Sequence, residues 1–573
     1  MTTRRTRLAG AITAVLALAV SLLPVSAAHA AESYVPISGA GSSWSSVAIQ
    51  QWAVNVQQYG MKVRYASTGS SDGRNQFKAG TVDFAVSEIP YGIKDGGVTD
   101  VPPTVGYAYM PIVAGGTSFM YNLASGGKQI TNLRLSGPVL AGIFTGSITS
   151  WDDPKIKADN PGLELPKRKV VPVVRSDGSG STAQFTTWMS KKYPSQWNAY
   201  CKQAGRPLPC GVTSNYPTIP GKGFIAQPNS QGVSGYVAQK ANVGTITYVE
   251  YSYALKTGYP VAKVLNKSGY YVEPTASNVA VGLLGAKINT DKKSPSYLTQ
   301  ILDGVYDNPD PRTYPLSSYS YMIIPTTTDA SLTTAKGKTL GAFDYYFLCE
   351  GQQQAEVLGY SPLPINLVQA GLDQVRRIPG VQAKSIDIRK CNNPTFSADG
   401  KNTLAVKAPQ PPACDKLGAT QCNTGTGGAK GTATPTQTSS GSGRSSGSGG
   451  ASGGSGSGSG SDGASSDAGS GSTSGGSSGT TAAGDLSSGS AGGSGSGTGT
   501  GNAVAALNDG SPVQCDADSG VCQNVAALPV EVDAADGWSP TKTLMLCAVA
   551  ALLGLVLLPP FIGVLVSRRR IRK

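Results

Sequence analysis

The sequence predicts an α/β fold, because apolar, β-branched segments alternate with amphipathic segments along the chain. Three units of strand, glycine/serine-rich turn and helix carry this prediction, and they begin at Ile37, Val63 and Val171. Short β-branched runs predict the strands, and apolar residues at helical spacing predict the helices. Each turn therefore lies at a predicted helix N-terminus, where backbone N–H groups lack intrahelical partners.

The third unit, VPVVRSDGSGSTAQF, is the most informative of the three. Val171, Val173 and Val174 predict a short buried strand, and residues 182–191 predict a helix. The turn between them faces the positive end of the helix dipole. Such a position favours a bound anion.

Charged and hydroxyl residues fill this turn. Arg175 adds a fixed positive charge with a planar donor fork, and Asp177 is close enough in sequence to orient that fork. Ser179, Ser181 and the amide of Gly180 add neutral donors. The alternative interpretation is a plain glycine/serine turn with a solvated ion pair.

Two earlier turns offer the same chemistry. The segment ISGAGSSWSSVAIQQW (residues 37–52) carries hydroxyls at Ser42 and Ser43, and the turn STGSSDG spans residues 67–73. The next apolar strand, in GTVDFAVSEIP, ends at Glu88. Three such turns could converge on one anion.

Together these motifs resemble the periplasmic phosphate-binding protein of the bacterial phosphate ABC transporter. The resemblance runs from about Ser38 to about Gln374. The matching motifs are GAGSSW, STGSSDG, VDFAVSEIP, LAGIFTGSITSWDDPKI, VVRSDGSGST, GVSGYVAQKANVGTITYVEYSYA, YPLSSYSYMIIP and AEVLGYSPLP. It implies a two-lobed periplasmic-binding-protein fold, with one lobe at about 32–115 and 275–391 and the other at about 116–274. An anion would bind between the lobes at the strand ends.

The resemblance also implies a set of phosphate ligands, with Asp177 orienting the arginine. By position these are Ser43, the Trp44 amide, Ser70, Glu88, Arg175, Ser179, Gly180 and Ser181. Ser43 and Ser181 stand where the family usually has threonine, which keeps the hydroxyl. Glu88 stands where aspartate is usual, so its carboxylate reaches roughly 1.5 Å further.

The carboxylate of Glu88 predicts a preference for a protonated anion. A carboxylate only accepts hydrogen bonds, whereas monohydrogen phosphate can donate one and sulfate cannot. The alternative is a carboxylate that ends its strand in solvent. Whether the longer side chain preserves specificity for phosphate depends on its placement.

The chain ends predict export and anchoring. Residues 1–30 have a basic start, an apolar run and an Ala-His-Ala cleavage pattern, which predicts a signal peptide. General export is favoured, because the Arg4-Arg5 pair lacks the usual twin-arginine continuation. Residues 544–566 are uncharged and long enough to span a bilayer, and a basic tail at 567–573 follows. This pattern predicts a single-pass cell-membrane protein with its head outside and its C-terminus in the cytoplasm; a removable anchor signal is the alternative.

The region between head and span divides by composition. We expect a Cys-containing extension at 392–423, a disordered glycine/serine-rich linker at 424–501 and a juxtamembrane segment at 502–543. Eight cysteines outside the span allow 105 pairings. Spacing favours Cys201–Cys210, Cys414–Cys422 and Cys515–Cys522, which leaves Cys349 with Cys391.

Two functions from different classes follow. The favoured one is a membrane-tethered phosphate receptor that serves the permease subunits of an ABC importer, and the other is a surface stalk or sensor using the same fold, or a binder of another oxyanion. An enzyme is not expected, because the only histidine, His29, leaves with the signal peptide. No metal or cofactor is predicted. Most of the net charge of +13 lies at the two ends, so nucleic acid is not an expected partner.

Overall fold

The computed structural model describes residues 34–434, except 295, 329–331, 383–387, 389–390 and 398–399, together with the backbone of 505–506, 512–515 and 522–523. The predicted signal peptide and the predicted span at 544–566 lie outside these residues. Among the described residues, no helix has both the length and the apolar character needed to cross a membrane. The chain divides into two compact units, 1–447 and 448–573.

Strands and helices alternate through the first unit, as the sequence predicts. The strands are β1 (Ile37–Gly41), β2 (Val63–Ala66), β3 (Phe84–Ser87), β4 (Lys94–Asp95), β5 (Val98–Thr99), β6 (Tyr107–Asn122), β7 (Ala124–Ser125), β8 (Lys128–Gln129), β9 (Arg134–Leu135), β10 (Val171–Arg175), β11 (Ile225–Gln227), β12 (Thr245–Glu250), β13 (Lys263–Leu265), β14 (Tyr271–Val272), β15 (Lys287–Ile288), β16 (Gln300–Ile301) and β17 (Ser317–Pro325). The helices are α1 (Ser46–Asn55), α2 (Ser70–Lys78), α3 (Gly137–Phe144), α4 (Pro154–Asp159), α5 (Gly180–Lys192), α6 (Pro194–Gln203), α7 (Asn229–Val237), α8 (Tyr251–Thr257), α9 (Ala276–Leu283), α10 (Asp303–Tyr306), α11 (Thr334–Leu348), α12 (Ile365–Val375) and α13 (Thr403–Lys407).

A mixed sheet of eight strands, in the order β11-β10-β12-β6-β17-β3-β1-β2, forms the centre of this unit. Strand β6 pairs antiparallel with β17 from Tyr107 to Gly116 and antiparallel with β12 from Thr117 to Asn122. It therefore passes from one half of the sheet to the other. It runs in the direction of the parallel set β1–β3 and against the parallel set β10–β12. The carboxyl ends of both sets consequently face each other across the crossing point.

Separate hydrophobic cores surround the two halves of the sheet and make the fold two-lobed. The first core contains Trp52, Phe84 and Phe347, and the second contains Phe144 and Trp197. The predicted two-lobed α/β fold is confirmed. Residues 302–316, which the predicted boundaries assign to the first lobe, include apolar side chains that pack into the second core instead.

Three of the four expected disulfides are present, namely Cys201–Cys210, Cys349–Cys391 and Cys414–Cys422. Each closes a loop and restricts the unfolded chain. In the second unit, the short strands β18 (Ala505–Ala506), β19 (Pro512–Cys515) and β20 (Cys522–Gln523) pair antiparallel, and Cys515 lies opposite Cys522. A disulfide between these two stays a prediction.

The last part of the extension expected at 392–423 packs against the second lobe. The guanidinium of Arg134 donates to the carbonyl oxygen of Cys414 at 2.8 Å. Lys263 forms an ion pair of 2.6 Å with the buried carboxylate of Asp415. The closing residues of the head are thus held by charged groups of the lobe.

The packed head also extends into the region predicted as linker. Residues 424–434 lie against the second lobe, where the Thr426 amide donates to the Thr131 carbonyl at 2.9 Å and the Thr131 amide donates to Thr434 Oγ1 at 2.8 Å. Composition placed this segment in the linker, because glycine and threonine are common there. Its backbone and hydroxyl groups are instead satisfied by the lobe.

One buried acid in the first lobe has no hydrogen-bond partner among the described residues. Both carboxylate oxygens of Asp344, within α11, are unpaired, and burial raises the pKa of this carboxyl well above its usual range. A raised pKa in the folded state means that the fold holds the proton more tightly than the unfolded chain does. The free energy of unfolding should therefore fall as pH rises above about 3.9, the ordinary value for aspartate.

We accordingly expect Asp344→Asn to stabilise the head at neutral pH. The gain should be largest near pH 7 and shrink towards pH 4, where the carboxyl of the unfolded chain also becomes protonated. Denaturant unfolding of parent and variant across this pH range measures it. Equal stability of the two proteins at every pH would contradict the prediction.

Candidate functional site

The carboxyl ends of β1, β3 and β10 bring the predicted site residues together at the lobe interface. Ser43 follows β1, Glu88 follows β3 directly, and Arg175 is the last residue of β10. Ser70 is the first residue of α2 and Gly180 the first of α5. These residues come together because of the sheet topology. Strand β6 pairs with both halves of the sheet, so the carboxyl ends of the two parallel sets face the same gap.

The carboxylate of Glu88 lies inside this site and not in solvent, since the residue is only 1% exposed. It accepts hydrogen bonds from Ser42 Oγ at 2.5 Å, from Ser70 Oγ at 2.7 Å and from the hydroxyl of Ser320. All three donors belong to the first lobe. The buried charge is therefore held by hydroxyl groups.

Glu88 also contacts the second lobe closely. A Cβ atom on Gly180 would lie 1.8 Å from Glu88 Oε2, so only glycine fits there. The Gly180 amide donates to Ser70 Oγ at 3.1 Å, and the Gln184 side chain donates to the carbonyl of Glu88 at 2.8 Å. The amide end of α5 thus faces the carboxylate turn of the other lobe.

Arg175 is 3% exposed and pairs with Asp177, as the sequence suggested. Its Nε donates to Asp177 Oδ1 at 2.7 Å, and a second guanidinium nitrogen donates to Oδ2. Asp177 Oδ1 also accepts from the amide of Asn229 at 2.9 Å. Asp177 thereby fixes the plane of the guanidinium, while Arg175 NH1 faces Ser230 Oγ at 3.4 Å.

Ser43 and Ser230 meet across the lobes. Ser43 Oγ lies 2.9 Å from Ser230 Oγ and accepts from the amide of Ser230 at 3.0 Å. Tyr253 donates from its hydroxyl to the carbonyl of Ser43 at 2.6 Å and fixes this turn. Sequence reasoning missed Ser230, although its position in the first turn of α7, directly after strand β11, repeats the strand, turn and helix pattern.

The remaining predicted residues take different places. Ser179 caps α5, its Oγ accepting from the Thr182 amide at 3.2 Å. Ser181 Oγ is buried and has no hydrogen-bond partner among the described residues. The Trp44 amide donates to Ser42 Oγ at 3.0 Å. Ser42 was noted as a hydroxyl but not assigned as a ligand, and Ser320 was missed because no turn motif marks it within strand β17.

The hydroxyls of Tyr65 and Tyr248 lie against the ligand turns. Burial raises the pKa of Tyr248 to about 12, and its hydroxyl accepts from the Arg175 amide at 3.3 Å. Burial, followed by the negative charge of Glu88, raises the pKa of Tyr65 well above its usual range. Both hydroxyls therefore stay neutral at physiological pH. A cleft of about 440 Å³ opens beside Glu88 between the lobes.

These groups can hold a small anion that carries a proton. The second lobe offers a guanidinium and helix-terminal amides, and the first lobe offers hydroxyls and an acceptor-only carboxylate. The described residues include no cluster of three or more His, Cys, Asp or Glu that could hold a metal ion.

The chain is similar to several known proteins. A family model described as a PBP superfamily domain matches residues 26–350. The phosphate-binding protein PstS of Xylella fastidiosa strain Temecula1 is 34% identical over 338 residues, covering 58% of this chain and 83% of that protein. PstS of Methanocaldococcus jannaschii is 30% identical over 354 residues, covering 59% and 85%.

A solved structure of a high affinity periplasmic phosphate-binding protein, determined with phosphate bound, is 18% identical with a TM-score of 0.46 and covers 61% of this chain and all of that one. The superfamily model spans more than half of the chain, and the Xylella protein aligns over most of its own length. This chain therefore belongs to the PBP superfamily and, within it, to the family of PstS phosphate-binding proteins.

Proposed function

We propose that the chain binds one inorganic phosphate ion between its lobes and delivers it to the permease subunits of an ABC-type phosphate importer. The observation that carries the proposal is a buried carboxylate facing buried donors across the lobe interface. The named function of the PstS relatives supports phosphate as the ion. Family membership makes the chain a binding protein and not an enzyme.

Glu88 supplies the reason for choosing phosphate over sulfate. Monohydrogen phosphate can donate its proton to the carboxylate, whereas sulfate would place two acceptors against each other. An unpaired buried contact of this kind costs about 1 to 3 kcal/mol, and more where charges are involved. Because Glu88 is held by three hydroxyls, the carboxylate cannot turn away without losing those bonds.

Arg175 supplies the positive charge for the anion. Its orientation by Asp177 leaves the NH1 edge facing Ser230 and the interface. Ser43 and the unpaired hydroxyl of Ser181 supply short neutral donors, and the amides of Trp44 and Gly180 lie in the same turns. Ser70 has one hydroxyl hydrogen, which it gives to Glu88, so it would donate to the anion only by releasing that bond. Ser179 contributes by capping the helix whose amide end faces the ligand. Ser230 joins this set.

The ends of the chain would place this head outside the cell. We propose that the signal peptide at 1–30 directs export and that the segment at 544–566 anchors the protein in the cell membrane, with the basic tail inside. The linker would then begin near residue 435. A flexible chain from there to 501 has an r.m.s. span of about 45 Å, so the head could reach a permease while staying attached.

The first test is a titration of the head, residues 31–434, with phosphate. We expect one ion per chain, measured by calorimetry, and a rise in the unfolding temperature with phosphate concentration. Arsenate should compete, and sulfate should bind at least about tenfold more weakly. Neither heat nor thermal shift at millimolar phosphate would contradict the proposal and favour another oxyanion or a stalk function.

The second prediction is that Arg175→Ala weakens phosphate binding most among single ligand substitutions. Losing charge-assisted hydrogen bonds should cost about 2 to 4 kcal/mol, or roughly thirtyfold to a thousandfold in Kd. Arg312→Ala is a matched control, because Arg312 pairs with Asp310 through the same two-bond geometry outside the site. A phosphate Kd for Arg175→Ala within threefold of the parent value would show that Arg175 does not bind the anion.

The third prediction concerns specificity. Glu88→Gln should weaken phosphate binding and lower the phosphate-to-sulfate ratio by about tenfold or more, because an amide can donate to a fully ionised oxygen. Glu88→Asp is the control, since it keeps a carboxylate and should keep the preference for phosphate. Parallel titrations with both ions measure the ratio. An unchanged phosphate-to-sulfate ratio in Glu88→Gln would show that the carboxylate does not accept the proton of the bound ion.

A further inference from the structure

A second contact between the lobes lies outside the anion site. The hairpin of strands β4 and β5 projects from the first lobe and meets the loop at residues 206–215 of the second lobe. The amide of Gly96 donates to the carbonyl of Val212 at 3.0 Å. The carboxylate of Asp95 accepts from the amide of Ser214 at 2.6 Å and from the hydroxyl of the same serine.

Ser214 connects this contact directly to the anion-binding turn. Its carbonyl accepts from the amide of Ser179, the cap of α5, at 2.9 Å. The neighbouring Thr213 is tied to α5 as well, because its amide donates to Thr186 Oγ1 at 3.0 Å. Ser214 therefore links the carboxylate of Asp95 in the first lobe to the Ser179 turn in the second lobe.

Two glycines at the turn of the β4–β5 hairpin let its backbone lie close to the second lobe. Gly96 and Gly97 both adopt positive φ angles, 59° and 96°, which side chains disfavour. A Cβ atom on Gly96 would lie 3.0 Å from Arg206 NH1 and 3.2 Å from Thr213 Oγ1, so the turn sits close against the other lobe. Ser214 is fully buried beneath it.

We propose that Asp95 is a positioning residue for anion binding, which holds the lobes closed and the Ser179 turn in place through Ser214. The proposal rests on the proposed function, because the closed state is the state that binds the anion. Opening the lobes would break both bonds to Ser214. We call these two hydrogen bonds from Ser214 to Asp95 the latch. Weakening the latch would lower the population of the closed state, and the apparent affinity for the anion would fall with that population.

Electrostatics alone predicts the opposite effect. Asp95 is a negative group near a site for an anion, so removing its charge should tighten binding slightly. Asp95→Asn removes the charge but keeps an amide that can accept from and donate to Ser214. Asp95→Ala removes the charge and both bonds. The two substitutions therefore separate the bonds from the charge.

The experiment measures phosphate Kd and dissociation rate for the parent, Asp95→Ala, Asp95→Asn and Asp72→Ala. Asp72 is exposed in α2 and controls for the loss of a nearby negative charge. We expect Asp95→Ala to raise Kd about tenfold, mainly through faster dissociation, with Asp95→Asn within about threefold of the parent. Binding by Asp95→Ala as tight as by Asp72→Ala, or equal losses in both Asp95 variants, would overturn the latch.

Ligand-free scattering separates this inference from the proposed function. Small-angle X-ray scattering should show a larger radius of gyration for Asp95→Ala than for Asp95→Asn, whether or not the parent binds phosphate. Equal radii would overturn the latch, whereas a parent without phosphate affinity would overturn only the choice of ion. Circular dichroism and thermal unfolding of each variant show that the comparison is between folded proteins.

Discussion

The strand Tyr107–Asn122 is the constraint on which the placement of every ligand turn depends. Because it belongs to both lobes, it aims the carboxyl ends of two parallel sets of strands at one gap. Gly115 and Gly116 lie where it changes partners. A Cβ atom at Gly115 would lie 2.8 Å from the Trp44 ring and 3.0 Å from Glu250 Oε1, so the crossing leaves no room for a side chain. Burial raises the pKa of the Glu250 carboxyl beside it well above its usual range, which favours the neutral form at the crossing.

The charged side chain that each lobe places at the interface has its hydrogen-bond partners within that same lobe. In the first lobe, Glu88 is held by the hydroxyls of Ser42, Ser70 and Ser320; in the second, Arg175 is held by Asp177. An unpaired buried charge would strongly disfavour the closed state, and this arrangement avoids one. The lobes can therefore approach until Gly180 lies against Glu88, while the hydrogen bonds to Glu88 and to Arg175 stay intact.

Contacts outside the site also join the lobes. The hairpin at residues 94–99 reaches the second lobe, and the C-terminal segment runs from the first lobe, where Thr395 donates to the carbonyl of Leu363 at 2.9 Å, to Thr131 of the second. The described head ends at residue 434, beyond the carboxyl end of the long shared strand. That end lies beside the amino ends of the second lobe's parallel strands, away from the cleft.

Local pattern determined much of this protein. The strand at Val63–Ala66, the helix after the Arg175 turn and the pairing of Arg175 with Asp177 follow from residues close in sequence, where spacing and backbone geometry restrict the outcome. The same holds for the disulfides Cys201–Cys210 and Cys414–Cys422. The ligand turns were also readable, because a serine-rich turn at a helix N-terminus has a local signature.

The tertiary structure alone decided which groups far apart in the chain come together. Ser320 lies 232 residues from Glu88 and Ser230 lies 187 from Ser43, and no local pattern encodes such contacts. The same holds for the contact of Asp95 with Ser214 and for the packing of residues 424–434, which composition placed in a linker. Local sequence therefore predicted the three ligand turns and the donors within them. The strand Tyr107–Asn122 decided which groups those turns face, because sheet topology brings together residues that lie far apart in the chain.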